Sequence, residues 1–445
     1  MGQGGSITLV NGTRYDWDNT HQHSYQMNSW GFPNIIPAGT SATVYVEWDE
    51  GIFDTTSDDA GEVVYNLNST DLGFQVQARA NNGFNLQAVF TNFSTPNNSQ
   101  GSTINLGWNH DGSVNFILSG EVNNFTSSNL PTSWMHDNLN MLGNRNLRQL
   151  CIPGFHDAGM STLSSGTAFA FPCNTITQTT GILGQLQAGA RYFDIRPVIS
   201  AGQYFTGHYG HIDQINSWQG ANGQSIGSII NDINTYTATN KELVILYLSH
   251  DLNTDLGNNS YASFTQSEWD ALFAQLRGIN NLFVAQPTTV DLTTLTLNTF
   301  IGGNSAAVIV IVEPSSSGIS LANYANKGFY LVNNFPVYNN YSDTNDLNQM
   351  ISDQLSKMKA QRPNPSASYF LLSWTLTQNN TEASTCQFGT ASSILDLANT
   401  ANPKLYSQLL NACSDQCYPN IIYCDNIQSS DIAALAMAVN NKCDR

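Results

Sequence analysis

The chain has only eight histidines, and its rarer charged residues collect at the ends of apolar runs. In "QLCIPGFHDAGMST" (149–162), His156 and Asp157 follow one such run. "ARYFDIR" ends on Asp194 and Arg196, with His208 just beyond it in "FTGHYGH". "ELVILYLSHD" ends on Ser249, His250 and Asp251, and "AAVIVIVE" ends on Glu313. "PNIIYCD" carries Tyr423 and ends on Asp425. Two histidines with acidic partners, plus one arginine, suit the cleavage of a phosphodiester. A neutral imidazole takes the proton of an attacking hydroxyl, and a protonated one delivers a proton to the departing oxygen. Carboxylate partners hold each ring in one orientation and tautomer. A guanidinium meets the charge on the phosphoryl oxygens with a planar fork of donors. A lone histidine in such a place is more often a satisfied structural residue. Recurrence at strand ends makes this set a candidate site.

Such residues need a scaffold that gathers strand ends. From about residue 128 the strand-like runs "LRQLCI", "ARYFDIR", "ELVILYLS", "AAVIVIV", "GFYLVNN", "SYFLLSW" and "PNIIYCD" alternate with helical segments. "GILGQLQAGA", "SIGSIINDINTYTATN", "SEWDALFAQLRGI" and "NDLNQMISDQLSKMKAQ" are the clearest of those helices. The alternation predicts an α/β fold, a (β/α) barrel over 128–445 with its chemistry at the strands' C-terminal ends. Up to about residue 127 the pattern is different. Short alternating runs such as "SITLVNG", "ATVYVEWDEG" and "EVVYNLN" are broken by Asn-Gly and Asp-Gly turns, and "WNHDGSVNFIL" reads as a hairpin. This predicts an all-β sandwich over 1–127, preceding the barrel as an accessory domain. Between the two, "GEVNNFTSSNLPTSWMHD" reads as a linker running into a short helix near Trp134.

The stretches "WMHDNLNMLGNRNLRQLCIPGFHDAGM" and "TQTTGILGQLQAGARYFDIRP" carry a resemblance. Trp134, Met135, Ile152-Pro153-Gly154, His156-Asp157, Gln178, Gln185-Leu186, Gly189, the run Arg191–Arg196 and His208 together resemble the X domain of phosphatidylinositol-specific phospholipase C and its phosphodiesterase relatives. The resemblance is dense from about 134 to 250 and thinner beyond. It implies a distorted TIM barrel. It further implies that His156 is the general base, acting on the inositol 2-hydroxyl and oriented by Asp425. His208 would be the general acid for the diacylglycerol leaving group, supported by Asp157, and Arg196 would contact the phosphate. The implied reaction is internal attack giving a cyclic phosphodiester, so no serine or cysteine nucleophile is needed. Asp194, Ser249, His250, Glu313 and Tyr423 would then face the substrate. In the β half, "HSYQMNSWGFP" resembles aegerolysin-like membrane-binding sandwiches.

Metal-dependent relatives carry two acids spaced E-x-D after the second barrel strand, where this chain has Asp194-x-Arg196. A fixed positive charge there repels a dication, which predicts a site with neither metal nor cofactor. His208 and His211 are spaced i, i+3, but a Gly-flanked loop would give them no helical face for zinc. Two further positions depart from bacterial relatives. Ser249 and His250 stand where those enzymes end a strand on lysine, and Glu313 falls near an inositol-binding arginine. Phosphodiester cleavage is therefore better supported than an inositol head group, and the alternatives are a phosphorylated head-group or glycan binding protein with an inactive barrel, or a metal-dependent phospholipase D-like phosphodiesterase.

Fifteen basic against 33 acidic residues give a net charge of −18, which argues against nucleic acid and against general adsorption to anionic membranes. The expected partner is a phospholipid or inositol-phosphate-type substrate, with peripheral membrane contact; oligomeric state is left open. At 445 residues the chain exceeds one ordinary core. No run approaches the roughly 20 apolar residues that span a bilayer, and "MGQGGSITLV" has no signal-peptide pattern. Gly2 and Ser6 fit a myristoylation pattern, with a flexible leader as the simpler reading. Sequons such as Asn11 and Asn258 lean towards a secretory route, so both a secreted and a cytoplasmic location stay open. Four of the seven cysteines (413, 417, 424 and 443) lie close to the C-terminus, where one or two disulfides are expected.

Overall fold

The apolar runs of the second half are strands buried on both faces. Leu243–Leu248, Ala307–Val312 and Tyr369–Trp374 show no exposed position at all, as expected of a parallel sheet covered on each side. The structure is a computed structural model and describes residues 2–51, 55–287 and 289–443. Its chain gathers into two units. One holds the chain up to Pro131 with Pro403–Tyr418 and the segment from Ser429; the other holds Thr132–Asn402 and Pro419–Gln428. The sequence places its boundary at 127/128, whereas the contacts extend the first unit to Pro131 and add two C-terminal segments to it.

The second unit is built on an eight-stranded parallel sheet. Its spatial order is Phe329–Leu331, Ala307–Val312, Leu243–Leu248, Tyr192–Ile195, Ile152–Phe155, Ile421–Cys424, Tyr369–Trp374 and Val337–Asn339. First and last barrel strands in sequence are neighbours, with Ile152 opposite Ile421 and Phe155 opposite Cys424. Phe329–Leu331 and Val337–Asn339 form the two edges and do not pair with each other. The sheet therefore curls without closing, consistent with a distorted TIM barrel. Gly154 is required where it stands: a Cβ there would lie 2.6 Å from Ile421 and 3.0 Å from Tyr192, in the strands on either side. "LRQLCI" is not the first strand. Leu147–Gln149 is a 3-10 turn and the strand begins at Ile152, because Asn146 and Gln149 close a capping box around that turn. Val337–Asn339 was not expected as a strand.

A five-stranded, mainly antiparallel sheet follows from the barrel strands: Ser165–Gly166, Ser217–Ser225, Gln203–Ile212, Pro197–Ser200 and Leu252–Asn253. "FTGHYGH" thus lies in the strand Gln203–Ile212 and not in a loop. His208 and His211 are three residues apart on it and point to opposite faces. The disulfide among the described residues joins Cys173 to Cys386. The C-terminal cysteines 413, 417, 424 and 443 are thiols, so the expected bridges among them do not form.

The first unit has two sheets. One runs Asn124–Ser127, Ser113–Glu121, Gln3–Thr13, Thr40–Trp48, Met27–Trp30; the other runs Ile35–Ile36, Trp17–Tyr25, Ala60–Leu67, Gly73–Arg79, Asn85–Phe90, Thr103–Gly107. Residues from both share one core, where Phe74 packs 4.8 Å from Trp17 and 5.0 Å from Phe116. Gln3–Thr13 pairs on both sides and is no flexible leader. The helix Asp431–Lys442 packs on Gln3–Thr13 and Ser113–Glu121. A Cβ on Gly12 would lie 2.6 Å from that of Ala438, so this strand is covered on both faces. "WNHDGSVNFIL" is not a hairpin: Thr103–Gly107 pairs with Asn85–Phe90, while Ser113–Glu121 runs parallel to Gln3–Thr13 in the other sheet. Trp108 diverts the chain by packing 4.3 Å from Trp48. The polar linker also contributes a strand, since Asn124–Ser127 pairs with Ser113–Glu121.

Candidate active site

Three barrel strands end in the same unusual way. Asp157, His250 and Asn426 all have positive φ (41°, 57° and 48°) within two residues of a strand end. Non-glycine residues avoid this left-handed region, and such strain persists where surrounding contacts over-determine it. Each turn carries a polar side chain at the C-terminal rim of the parallel sheet.

The two histidines sit on separate carboxylates. His156 Nδ1 lies 2.8 Å from Asp425 Oδ1, and His208 Nδ1 lies 2.7 Å from Asp157 Oδ2. Their ring centroids are 6.3 Å apart. Arg196 Nη2 lies 2.8 Å from His156 Nε2. A guanidinium has donors only, so Nε2 must accept and the His156 proton must sit on Nδ1, facing Asp425. His156 is thus held neutral, with its basic nitrogen towards Arg196. Burial and Arg196 pull its pKa down, but Asp425 and Asp194 outweigh them and leave it above the ordinary histidine value.

Asp194 secures Arg196. Its Oδ2 accepts from Arg196 Nε at 3.2 Å, from Tyr423 Oη at 2.6 Å and from the Asp157 backbone N–H at 3.1 Å. Burial opposes ionisation of Asp194, yet Arg196 holds its carboxyl far below the usual range. Burial likewise opposes the Arg196 charge, and Asp194 with Asp157 more than restores it. Arg196 Nη1 also lies 3.7 Å from Asp157 Oδ2. One guanidinium therefore ties together both carboxylates and a histidine, with 18% of its side chain exposed. Ser249 Oγ is 2.8 Å from His250 Nδ1 and 3.5 Å from Asp194 Oδ1. Burial first, then Arg196, lowers the His250 pKa, so its ring is neutral. Glu313 stands further off, its Oε2 accepting from Tyr247 Oη at 2.9 Å.

Among the described residues, no cluster of three His, Cys, Asp or Glu is arranged to hold a metal ion. Asp194 and Asp157 are already engaged by Arg196, while His211 turns away to Asp213 and Trp218. Sequence reasoning missed Tyr209, Trp218 and Tyr261, which with Arg196 and His250 line a cavity of about 310 Å³. The only signal for them was aromatic content in connecting segments.

Several motif residues serve the opposite end of the sheet. Arg191 and Glu242 are fully buried, with Nη2 2.7 Å from Oε2. Glu242 also accepts from the backbone of Met135 and His136, and Trp134 Nε1 donates to Gly189 O at 3.0 Å. These groups lock the chain entering the barrel.

No protein-family model matches the chain. A PI-PLC X-box domain-containing protein of Dictyostelium discoideum is 28% identical over 130 residues, covering 26% of this chain. The match spans only 16% of that relative's length. Among solved structures, a Staphylococcus aureus phosphatidylinositol-specific phospholipase C, studied for modulation of its membrane binding, is 16% identical with a TM-score of 0.48. It covers 70% of this chain and 98% of its own. The phosphatidylinositol-specific phospholipase C of Listeria monocytogenes is 14% identical with a TM-score of 0.40, over 70% of this chain and 99% of its own. Over 130 residues, then, the chain is similar to a PI-PLC X-box domain-containing protein.

Proposed function

We propose that the protein is a phosphodiesterase of the phospholipase C type that cleaves a phosphodiester in a phospholipid or GPI-like head group. A substrate hydroxyl beside the ester gives its proton to His156 Nε2 and attacks phosphorus. Arg196 moves from His156 to the phosphoryl oxygens, and His208 protonates the departing oxygen, leaving a cyclic phosphate. Asp425 and Asp157 hold the two rings, and Tyr423 and Asp194 hold the guanidinium. Ser249, His250 and Glu313 are proposed to face the head group. The observation that carries this reading is a pair of carboxylate-bound imidazoles 6.3 Å apart, with the partly exposed Arg196 against His156 and beside the Asp157 carboxylate that holds His208. Since Arg196 already pairs with Asp194 and approaches Asp157, we infer chemistry without a metal or other cofactor.

The first unit is proposed to be an accessory β-sandwich, with its two sheets closing on one core. No helix among the described residues is long and apolar enough to cross a membrane, so contact with a lipid surface would be peripheral. Turnover of phosphatidylinositol or a GPI-type lipid by the purified chain tests the reading. It should survive EDTA and disappear in His156→Ala and His208→Ala. Full activity in either variant would overturn the roles, and loss with EDTA would overturn the metal-free chemistry.

A further inference from the structure

Two loops of the second unit expose phenylalanine to water. Phe169 is 47% exposed and Phe388 is 72% exposed. Phe169 lies between the strand Ile152–Phe155 and the helix Ile182–Gln187, and Phe388 lies between the strand Tyr369–Trp374 and the helix Ile394–Ala412. Both loops therefore leave the C-terminal ends of parallel barrel strands, the rim that carries His156 and Asp157. A disulfide from Cys173 to Cys386 staples the loops across 213 positions, with 6.0 Å between the Cα atoms. Side-chain amides brace the staple. Asn174 Nδ2 donates to Phe169 O at 3.1 Å and to Ala383 O at 2.8 Å, and Gln378 Nε2 donates to Cys173 O at 3.2 Å.

Charge sets these loops apart from the rest of the chain. No charged residue lies between Asp157 and Arg191, and Glu382 is the one charged residue between Arg362 and Asp396. Both carboxylate oxygens of Glu382 are engaged: one accepts from the Asn379 backbone N–H at 2.9 Å, the other from Asn345 Nδ2 at 2.8 Å. Ile215 and Leu256 are exposed as well, but Asp213 and Asp255 stand in their turns. In a chain of net charge −18, the stapled pair is a place where exposed apolar side chains meet almost no charge. Exposed apolar surface of this kind marks an interaction site.

We propose that the stapled loops are the surface on which the protein meets a lipid bilayer, with Phe169 and Phe388 entering the interface, and that a zwitterionic bilayer is preferred. The assignment rests on the phosphodiesterase reading above. A phosphodiester carried by a membrane lipid reaches the two histidines when the rim that holds them faces the membrane. Uncharged loops enter the head-group region without stripping water from ions, while the phenyl rings gain by leaving water. The disulfide holds the two loops together beforehand, so docking orders little further chain. The net negative charge repels anionic lipid, so the attraction comes from the rings and not from charge.

Co-sedimentation of the full chain with phosphatidylcholine vesicles tests the surface without any turnover. The chain should bind, and adding phosphatidylserine to the vesicles should weaken binding. Phe169→Ser and Phe388→Ser should each weaken it about tenfold, while Phe169→Leu and Phe388→Leu retain it. Melting temperature, and turnover of a monomeric short-chain phosphatidylinositol, should be unchanged in each variant. Failure of the chain to bind vesicles, unchanged binding when both serines are present, or tighter binding with phosphatidylserine would overturn the proposal. Self-association in water that the serine substitutions abolish would assign the loops to a second copy and equally overturn it. Vesicle binding by a chain that turns over neither monomeric nor vesicle-held lipid would remove the phosphodiesterase reading and leave the membrane surface standing.

Discussion

Arg191 and Arg196 flank one four-residue barrel strand, Tyr192–Ile195, and both pair with a carboxylate, yet they are opposite cases. Arg191 is fully buried. Its guanidinium donates to Glu242 and to the carbonyls of Leu186, Ala190 and Thr132, and Trp134 and Tyr236 cover it at 5.6 and 5.3 Å. Nothing in that arrangement can be exchanged for a ligand. Arg196 keeps part of its surface open and gives one donor to a neutral imidazole, a bond that an incoming phosphate can replace. The same residue type is locked in place where every donor is committed, and is open to the proposed chemistry where one is provisional. Strand direction sorts them, because in this architecture chemistry gathers at the C-terminal ends.

Substitutions can break that contrast. The largest effect is expected at the imidazoles: His156→Ala or His208→Ala should each lower kcat by about 10²–10⁴-fold with the melting temperature little changed, as read by turnover and calorimetry. Arg191→Met should act the other way. It leaves Glu242 charged and buried without its partner, a loss of about 3–5 kcal/mol in denaturant unfolding. Residual folded protein should retain near-normal KM. Arg196→Lys keeps the charge but loses the planar fork, so activity should fall by about 10–100-fold with stability nearly intact. If Arg191→Met spared stability and Arg196→Lys destroyed it, the contrast would be reversed.

Two pH effects sharpen the picture. His156 must be neutral to accept a proton, and its pKa is raised. The acid limb of kcat/KM should therefore fall off above the ordinary histidine value of about 6.5. Arg196→Ala removes a neighbour that lowers this pKa, so in any residual activity the limb should move further up. The smallest effect lies in the first unit. Burial pushes the Asp431 carboxyl up to about 6 despite hydrogen bonds from Ser128 and Ser429. The folded state binds this proton more tightly than the unfolded chain. The associated stability is therefore present at low pH and lost as pH rises towards 6. Asp431→Asn should abolish that slope and stabilise the neutral-pH protein by about 1–2 kcal/mol in chemical unfolding.

Much of the site was legible in the sequence because barrel strands place their last residues on one rim. His156 and Asp425 are 269 positions apart, yet each closes an apolar run, and the structure sets them in hydrogen-bond contact. Other features were hidden for physical reasons. Pro153 and Gly154 look like strand breakers, but the glycine is what close packing of Ile421 and Tyr192 demands. The His208 strand is interrupted by glycines and lacks apolar alternation. Trp17–Tyr25 is mostly exposed and polar, so it shows no strand periodicity. The apparent hairpin at 108–118 misled because the strand before it, Thr103–Gly107, and the strand it enters, Ser113–Glu121, join different sheets, a tertiary choice that local turn chemistry does not encode. Trp218 and Tyr261 become a cavity wall only once three separate segments meet.

The central claim is proton transfer by two histidines to and from one phosphodiester, through internal attack. Phosphorus NMR of the purified chain with phosphatidylinositol, and in a parallel sample with a GPI-type lipid, tests it most directly. A five-membered cyclic phosphate resonance should appear first in at least one sample, and be absent with His156→Ala. An open phosphomonoester formed without the cyclic species, or no reaction with either lipid, would contradict it.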